Sequence, residues 1–402
     1  MKLIYKIMMS VLLGVLICAI GISAATVSSE CDISDIEVPI DATVDDVTIG
    51  TKLDIKAKSA ILMEVNTGKI LYEMNADEKL PPASITKIMS LLLIMEAIDR
   101  GELSVEDVIT ASEHASSMGG SQIWLEPGET MTVDDLLKAA VIASANDATV
   151  ALGEAVAGSE EGFVAQMNAR AKELGCTNTK FINATGLDAE GHISSAHDVA
   201  IMSAELIKHD RIKNYSTVWM DTLRDGESEL VNTNKLVRFY EGTTGLKTGT
   251  TSGAGYCLSA TAERDGLELV AVIMAGETSN DRFNGAKKLL DFGFANYQYV
   301  TIEPLLDVSE CNVKNGVDKK VGITADGTSK MLLKKSEAAA VTQQITLPQN
   351  LSAPVKKGSV VGSVDLYLKD EQIGQIDIRA TKNVDKMNFL TAFLWILDGL
   401  LK

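Results

Sequence analysis

The sequence predicts a mixed α/β protein in which an antiparallel sheet is interrupted by a helical insertion and followed by a small all-β domain. Three patterns carry this reading. Two apolar runs flank an Asn-to-Gly turn at Asn66, helical periodicity dominates from Ser84 to about Leu206, and strand-like runs return at Thr243. Early and late strands separated by a helical block imply that distant segments share one sheet.

Taken in order, the chain opens with Lys2 and Lys6, an apolar run from Ile7 to Ile22, and then Ser23-Ala24-Ala25. Basic residues, an apolar stretch and small residues before a cut predict a signal peptide over 1–25, with a retained anchor as the alternative. Residues 26–54 are acidic and rich in Ser, Thr and Asp, and read as a linker. The unit over 55–300 starts with a hairpin, Ser59 to Val65 and Lys69 to Glu73, around Asn66-Thr67-Gly68. Apolar residues at three- and four-residue spacing predict helices in Ile88–Ile98, Leu136–Ile142, Val150–Val156 and Phe163–Leu174. Strands follow at Thr243–Thr250, Gly255–Ala262 and Leu267–Ala275, with Asp265-Gly266 as a hairpin turn, and a helix from about Phe283 to Tyr297 closes the unit. Over 301–384 the texture changes to short alternating segments punctuated by Gly and Pro, which predicts a small β domain.

Over 385–402 large apolar residues dominate, and Asn388, Thr391, Asp398 and Lys402 fall along one stripe of a helix with Trp395 among them. Fifteen residues, Met387 to Leu401, rise only about 22 Å, short of a hydrocarbon core of roughly 30 Å. An amphipathic helix lying in the surface of a membrane is therefore expected, the alternative being a helix docked on the protein's own core.

Composition narrows the function. The 402 residues are 46% hydrophobic and 23% charged with 7 Pro, which suits a globular chain. A net charge of -18 repels a phosphate backbone, so no nucleic acid partner is expected. Five cysteines without a C-x-x-C pair and four histidines without H-E-x-x-H spacing support neither a zinc framework nor a metalloprotease. No metal or cofactor is expected.

Ser84-Ile85-Thr86-Lys87 follows Pro81-Pro82 at the start of the first predicted helix. Ser and Lys three apart share a helix face, so a partly neutral amine can take the serine proton as the hydroxyl attacks a carbonyl. Two further motifs lie downstream in the order found in penicillin-recognising serine enzymes: Ser144-Ala145-Asn146 between two predicted helices, and Lys247-Thr248-Gly249 on the first of the later strands.

With these motifs the chain resembles the low-molecular-mass penicillin-binding proteins that act as serine-type D-Ala-D-Ala carboxypeptidases, the penicillin-binding protein 5 or DacF type. The resemblance covers nearly the whole chain and includes Gly175-Cys176-Thr177-Asn178-Thr179-Lys180, Phe181-Ile182-Asn183 with Gly186-Leu187-Asp188, and Ala254-Gly255-Tyr256. It implies a β-lactamase/transpeptidase-like domain over 55–300, Ser84 as the acylated nucleophile and Lys87 as its base. It further implies that Ser144 relays a proton to the leaving D-alanine, that Asn146 holds the substrate amide, and that Lys247 bridges toward Ser144 as a fixed charge. Thr248, helped by Arg282, would bind the terminal carboxylate. Gly249 completes the motif. Acyl transfer also calls for two N–H donors on the developing oxyanion, and the amides of Ser84 and Thr250 are the natural pair. The substrates implied are peptidoglycan stem peptides ending in D-Ala-D-Ala. β-Lactam antibiotics would act as inhibitors, and the place of action would be the extracytoplasmic face of the bacterial cytoplasmic membrane, reached by secretion.

The chain departs from the family where many relatives carry Arg or Tyr at His197, and where some carry His at Thr185 or Thr250. Of three alternatives, the first two fit less well and the third is poorly separated by sequence. A class A-like β-lactamase needs a Glu some 35 residues past Ser144-Ala145-Asn146, where this chain has Thr179-Lys180-Phe181-Ile182-Asn183. A non-catalytic wall-binding protein would be expected to have lost Ser84, Lys87 or Lys247. A D,D-endopeptidase acting on cross-links would use the same residues.

Overall fold

Ser59–Glu64 (β1) reads as an unbroken apolar strand because both of its faces are covered, and all six residues are buried. It turns through Asn66-Thr67-Gly68 into Ile70–Met74 (β2), where the Glu64 carboxylate accepts the N–H groups of Asn66 (3.0 Å) and Thr67 (2.7 Å) and so pins the turn. The computed structural model describes residues 53–401, so the predicted signal peptide, nearly all of the 26–54 linker, Cys18 and Cys31 lie outside the described residues.

The three later strands are Thr243–Thr251 (β3), Gly255–Arg264 (β4) and Leu267–Gly276 (β5). Asp265 and Gly266 both have positive φ (52° and 74°), which suits a two-residue hairpin turn between β4 and β5. The sheet runs β2-β1-β5-β4-β3, with β1 antiparallel to β5 from Ser59 opposite Met274 to Glu64 opposite Leu269. Segments some 200 residues apart thus share one sheet, as the pattern predicts, and β3 is left as an edge strand.

Strand alternation divides the core. Ile61 and Met63 of β1 face the helical insertion together with Val270, Val272 and Met274 of β5. Ala60 and Leu62 face the other way, with Ala271 and Ile273, onto Leu289 and Leu290 of a helix from Ser279 to Asn296 (α5). The insertion supplies Lys87–Asp99 (α1), Asn146–Ala157 (α2), Glu160–Glu173 (α3) and Ala196–Ile207 (α4). Ser159 and Ser195 cap the last two by accepting the N–H groups of Gly162 and Asp198.

Two details differ from the helical expectation. Ser84 does not lie in the α-helix but in a 3-10 turn, Ala83–Thr86, that precedes it. Ala83 before it takes a left-handed φ of 49°, so the chain turns tightly into Ser84. The run Leu136–Ile142 is α-helical only to Lys138. It continues as a π turn over Ala139–Ala143 and ends at Ser144 in the left-handed region, φ 65°. A short antiparallel pair, Val108–Thr110 with Thr130–Thr132, and a small hairpin, Met220–Leu223 with Ser228–Val231, also interrupt the helical and loop pattern, each strand being too short to show a period in sequence.

Beyond α5, Tyr297–Ile302 pairs with Ser329–Lys334, and six further strands form a sheet around Val321, Val364, Leu366 and Ile378. The alternating segments of the sequence, Lys319–Thr324, Ala339–Leu347, Gly358–Leu368 and Gln372–Ile378, overlap observed strands at Lys320–Ala325, Val341–Thr346, Val360–Leu368 and Glu371–Ala380. Pairing continues past Val384, since Val317 donates to Asp385 O (2.9 Å) and Met387 to Asn315 O (2.8 Å). A helix then runs from Phe389 to Leu401, capped by Asn388 Oδ1, which accepts Thr391 N–H at 2.8 Å. Its described large apolar side chains are exposed, Phe389 by 88% and Trp395 by 69%, and do not pack on the rest of the described chain. Among the described residues no helix is long and apolar enough to cross a membrane. The side chains of Asp398 and Lys402 lie outside those described.

Candidate active site

The turn at Ala83–Thr86 packs against β3, and α1 begins at Lys87 inside the core between sheet and insertion. The Lys87 side chain is completely buried. Its Nζ lies 3.1 Å from Ser84 Oγ, 2.5 Å from Asn146 Oδ1 and 2.8 Å from the carbonyl of Thr185. A neutral amine has two N–H groups and one lone pair. In that form Asn146 and Thr185 take the two N–H groups and the lone pair is left for the Ser84 hydroxyl, whereas an ammonium donates to all three. Burial drives the Lys87 pKa well below the ordinary lysine value, and the Lys247 ammonium adds to this.

Asn146 reaches this position because the left-handed Ser144 ends one helix and Asn146 starts the next. Its Nδ2 donates to Gly119 O (2.6 Å) and its backbone N–H to Ser121 O (2.7 Å), so the amide orientation is fixed from the side away from Lys87. Ser144 is itself buried, two residues before.

Along β3, alternation sends Lys247 and Gly249 toward the nucleophile and Thr248 and Thr250 to the opposite side. Lys247 is fully buried, and its pKa is lowered to about 7 by burial and then by the charge of Arg282. Its hydrogen bond goes to Thr248 O at 3.3 Å, and the implied bridge to Ser144 is not among its contacts in the described residues. Gly249 has to be glycine: a Cβ there would lie 2.9 Å from Ser84 N and 3.0 Å from Ile85 N.

Arg282 is expected beside Thr248 but is placed elsewhere. From the first turn of α5 its Nη1 donates to Gly249 O (2.9 Å), Thr250 Oγ1 (2.9 Å) and Cys257 O (3.2 Å), while Thr248 Oγ1 bonds Thr233 Oγ1 (2.8 Å). The reason is the cover of the sheet, since α5 lies over the face to which Thr250 points. Arg282 Nε is buried without a hydrogen-bond partner among the described residues.

Sequence reasoning misses the segment that closes the site from the third side. Asn183 Oδ1 accepts Thr185 N (3.2 Å) and Gly186 N (2.7 Å), a local turn that aims the Thr185 carbonyl at Lys87. Gly186, with φ 88°, is pressed so closely on the nucleophile turn that a Cβ would fall 1.8 Å from Ala83 O. His192 supports the same segment. Its Nδ1 accepts Ile182 N–H (3.0 Å), so Nε2 carries the proton and donates to Thr86 Oγ1 (2.8 Å). Burial lowers its pKa to about 4, which keeps it neutral. His197 stands apart, on Asp77 at 3.2 Å. A cleft of about 390 Å3 lined by Pro81–Ala83, Gly186–Glu190, His192, Ser252 and Gly253 gives access beside the nucleophile turn. A serine hydroxyl beside a buried amine of lowered pKa, an edge strand and two further buried basic side chains are of the kind that acyl transfer from a carboxylate-terminated peptide requires.

Comparison with known proteins agrees. The family model "D-alanyl-D-alanine carboxypeptidase" matches residues 46–278, and "Penicillin-binding protein 5, C-terminal domain" matches residues 306–386. The chain is 44% identical to the D-alanyl-D-alanine carboxypeptidase DacF of Bacillus subtilis over 85% of this chain and 89% of the relative. It is similar in structure to penicillin binding protein 5 from Haemophilus influenzae, with TM-score 0.70 and 31% identity over 84% of this chain and all of the other. It is also similar to penicillin-binding protein D2 from Listeria monocytogenes in its ampicillin-bound form, with TM-score 0.55 and 34% identity over 60% of this chain and 99% of the other.

Proposed function

The chain belongs to the D-alanyl-D-alanine carboxypeptidase family, and from that premise we propose that it removes the terminal D-alanine from peptidoglycan stem peptides through an ester on Ser84. It is a serine-type D-Ala-D-Ala carboxypeptidase of the penicillin-binding kind, with a transpeptidase-like α/β domain followed by an all-β domain. The observation that carries the residue assignment is the buried Lys87 amine, held by Asn146 Oδ1 and the Thr185 carbonyl with its Nζ 3.1 Å from Ser84 Oγ.

In this reading Ser84 Oγ attacks the carbonyl of the penultimate D-alanine while its proton passes to Lys87 Nζ. The backbone N–H groups of Ser84 and Thr250 receive the developing oxyanion. The C–N bond then breaks, and the proton reaches the departing D-alanine nitrogen through Ser144. Water cleaves the ester, giving the shortened peptide and free Ser84. Asn146 orients both the amine and the substrate amide. Lys247, on the Ser84 side of β3, recognises the terminal carboxylate. Its negative charge beside Lys247 favours the ammonium that burial alone disfavours.

A β-lactam enters the same path and leaves Ser84 acylated. The protein acts in the cell wall, outside the cytoplasm, after secretion. The helix Phe389–Leu401 holds it on the outer face of the cytoplasmic membrane by burying its exposed apolar side chains among lipid headgroups and chains.

The test is release of free D-alanine from a pentapeptide ending in D-Ala-D-Ala. Release by the parent and none by Ser84→Ala is the expected result, and release by the variant overturns the assignment.

A further inference from the structure

Asp147 follows Asn146 at the start of α2, and its side chain is completely buried. All of its contacts are backbone donors. Ile123 N–H reaches both oxygens at 3.2 and 3.1 Å, Leu125 N–H reaches Oδ2 at 3.1 Å, and Ala148 N–H reaches Oδ1 at 2.9 Å. A carboxylate takes such an arrangement as pure acceptor. Among the described residues it forms no ion pair, so its charge is not neutralised locally by a Lys or Arg.

The bonds of Asp147 and Asn146 together fasten one segment. Gly119 O and Ser121 O accept from Asn146, while Ile123 N and Leu125 N donate to Asp147. The segment therefore meets α2 at every second residue, and Arg224 holds it from outside through Ile123 O (2.9 Å). Trp124, between the two clamped amides, is held at a left-handed φ of 60°. A residue that orients Asn146 thereby orients the base, because Asn146 Oδ1 is 2.5 Å from Lys87 Nζ.

We propose that Asp147 is a positioning residue of the acyl-transfer centre, whose buried carboxylate both locks residues 119–125 onto Asn146 and opposes the field of Lys247 at the Lys87 amine. The inference rests on the proposed role of Lys87 as base. The groups in contact with Lys87 Nζ are Ser84 from the turn before it, the Thr185 carbonyl from the 183–186 segment and Asn146 from α2, while Asp147, next to Asn146 on α2, and Lys247 on β3 act on it through their charges. Of these, Lys247 and Asp147 carry charge, and they act in opposite directions: Lys247 lowers the proton affinity of Lys87 and Asp147 raises it.

The test is the pH profile of acylation by benzylpenicillin, normalised to its maximum so that the fraction of folded enzyme drops out. In Asp147→Asn the charge is gone while the size is kept. Lys87 then loses its proton more readily, so the acidic limb moves to lower pH, and the maximal rate falls as the 119–125 segment loosens. A limb that coincides with the parent's overturns the proposal. Should that variant fail to fold, Asp147→Glu carries the test. It keeps the charge but displaces the acceptors, so the limb stays near the parent's while acylation slows several-fold. A parental rate in the Glu variant overturns the positioning role. A parent enzyme that is not labelled at all would instead remove the functional reading itself, so the two failures are distinguishable.

Discussion

Lys87 Nζ lies 3.1 Å from Ser84 Oγ while two acceptors 59 and 98 residues away in sequence, Asn146 Oδ1 and Thr185 O, engage its remaining hydrogen-bonding capacity. Burial makes the amine a poor ammonium, and the acceptors make it a well-aimed base. Lys87→Ala should therefore slow penicillin acylation by about a thousandfold. Lys87→Arg should not rescue it, because a guanidinium keeps its proton. A time course of covalent labelling checks both, and a parental rate in either contradicts the base assignment.

Lys247 makes a second, opposite test of the field at Lys87. Removing its charge in Lys247→Met lets Lys87 hold its proton to higher pH, so the acidic limb of acylation moves upward. Stability responds as well. Between about 7, where folded Lys247 titrates, and its ordinary 10.5, the unfolded chain binds a proton that the folded protein lacks, so stability rises with pH across that window. Below it both states are protonated and the folded protein carries the full penalty of a buried ammonium. Lys247→Met should gain on the order of a few kcal/mol at pH 7 and show a shallower rise toward pH 10 in urea titrations. An unchanged slope would be inconsistent with the burial seen here.

Gly186 offers a prediction that separates conformation from contact. Gly186→Ala places a methyl 1.8 Å from Ala83 O, so the nucleophile turn must move. Acylation should fall by about a hundredfold or more, with a stability loss of about 2 kcal/mol or more. Gly158→Ala is the control, since Gly158 also has a positive φ (81°) but open space around it. It should lose about 1 kcal/mol and keep its activity. Equal activity in the two variants would mean that the close approach at Ala83 is not needed.

The C-terminal helix should be separable from catalysis. Because Asp385 and Met387 still pair with the β domain, the chain is best ended after Met387, not after Val384. That truncation should give a soluble protein releasing D-alanine at the parental rate, whereas the full chain sediments with membranes. Membrane retention of the truncated protein would place the anchor elsewhere.

The sequence was most legible where chemistry demands a residue type at a spacing. Ser84, Lys87, Ser144, Asn146 and Lys247 are recognisable because a nucleophile, a base and a fixed cation each need one kind of side chain, and the positions of the main strands and helices follow from periods of two and of 3.6 residues. Thr185 was not legible as a site residue because its backbone carbonyl does the work, and any residue supplies one. Asp147 was hidden for a related reason, since its partners are backbone amides more than 20 residues upstream. The placement of Arg282 against Thr250 depends on which face of the sheet α5 covers, and no local pattern records that. Ser84 was assigned to a helix because Pro81-Pro82 commonly precedes one, whereas the left-handed Ala83 tightens the entry into a 3-10 turn.

The central claim is that Ser84 is the residue acylated. The most direct measurement is to incubate the protein with benzylpenicillin, quench, digest and map the adduct by mass spectrometry. The account predicts one penicilloyl group, on Ser84, absent from Ser84→Ala and slow to form in Lys87→Ala. An adduct on Ser144 or any other side chain, or labelling that persists in Ser84→Ala, would contradict it.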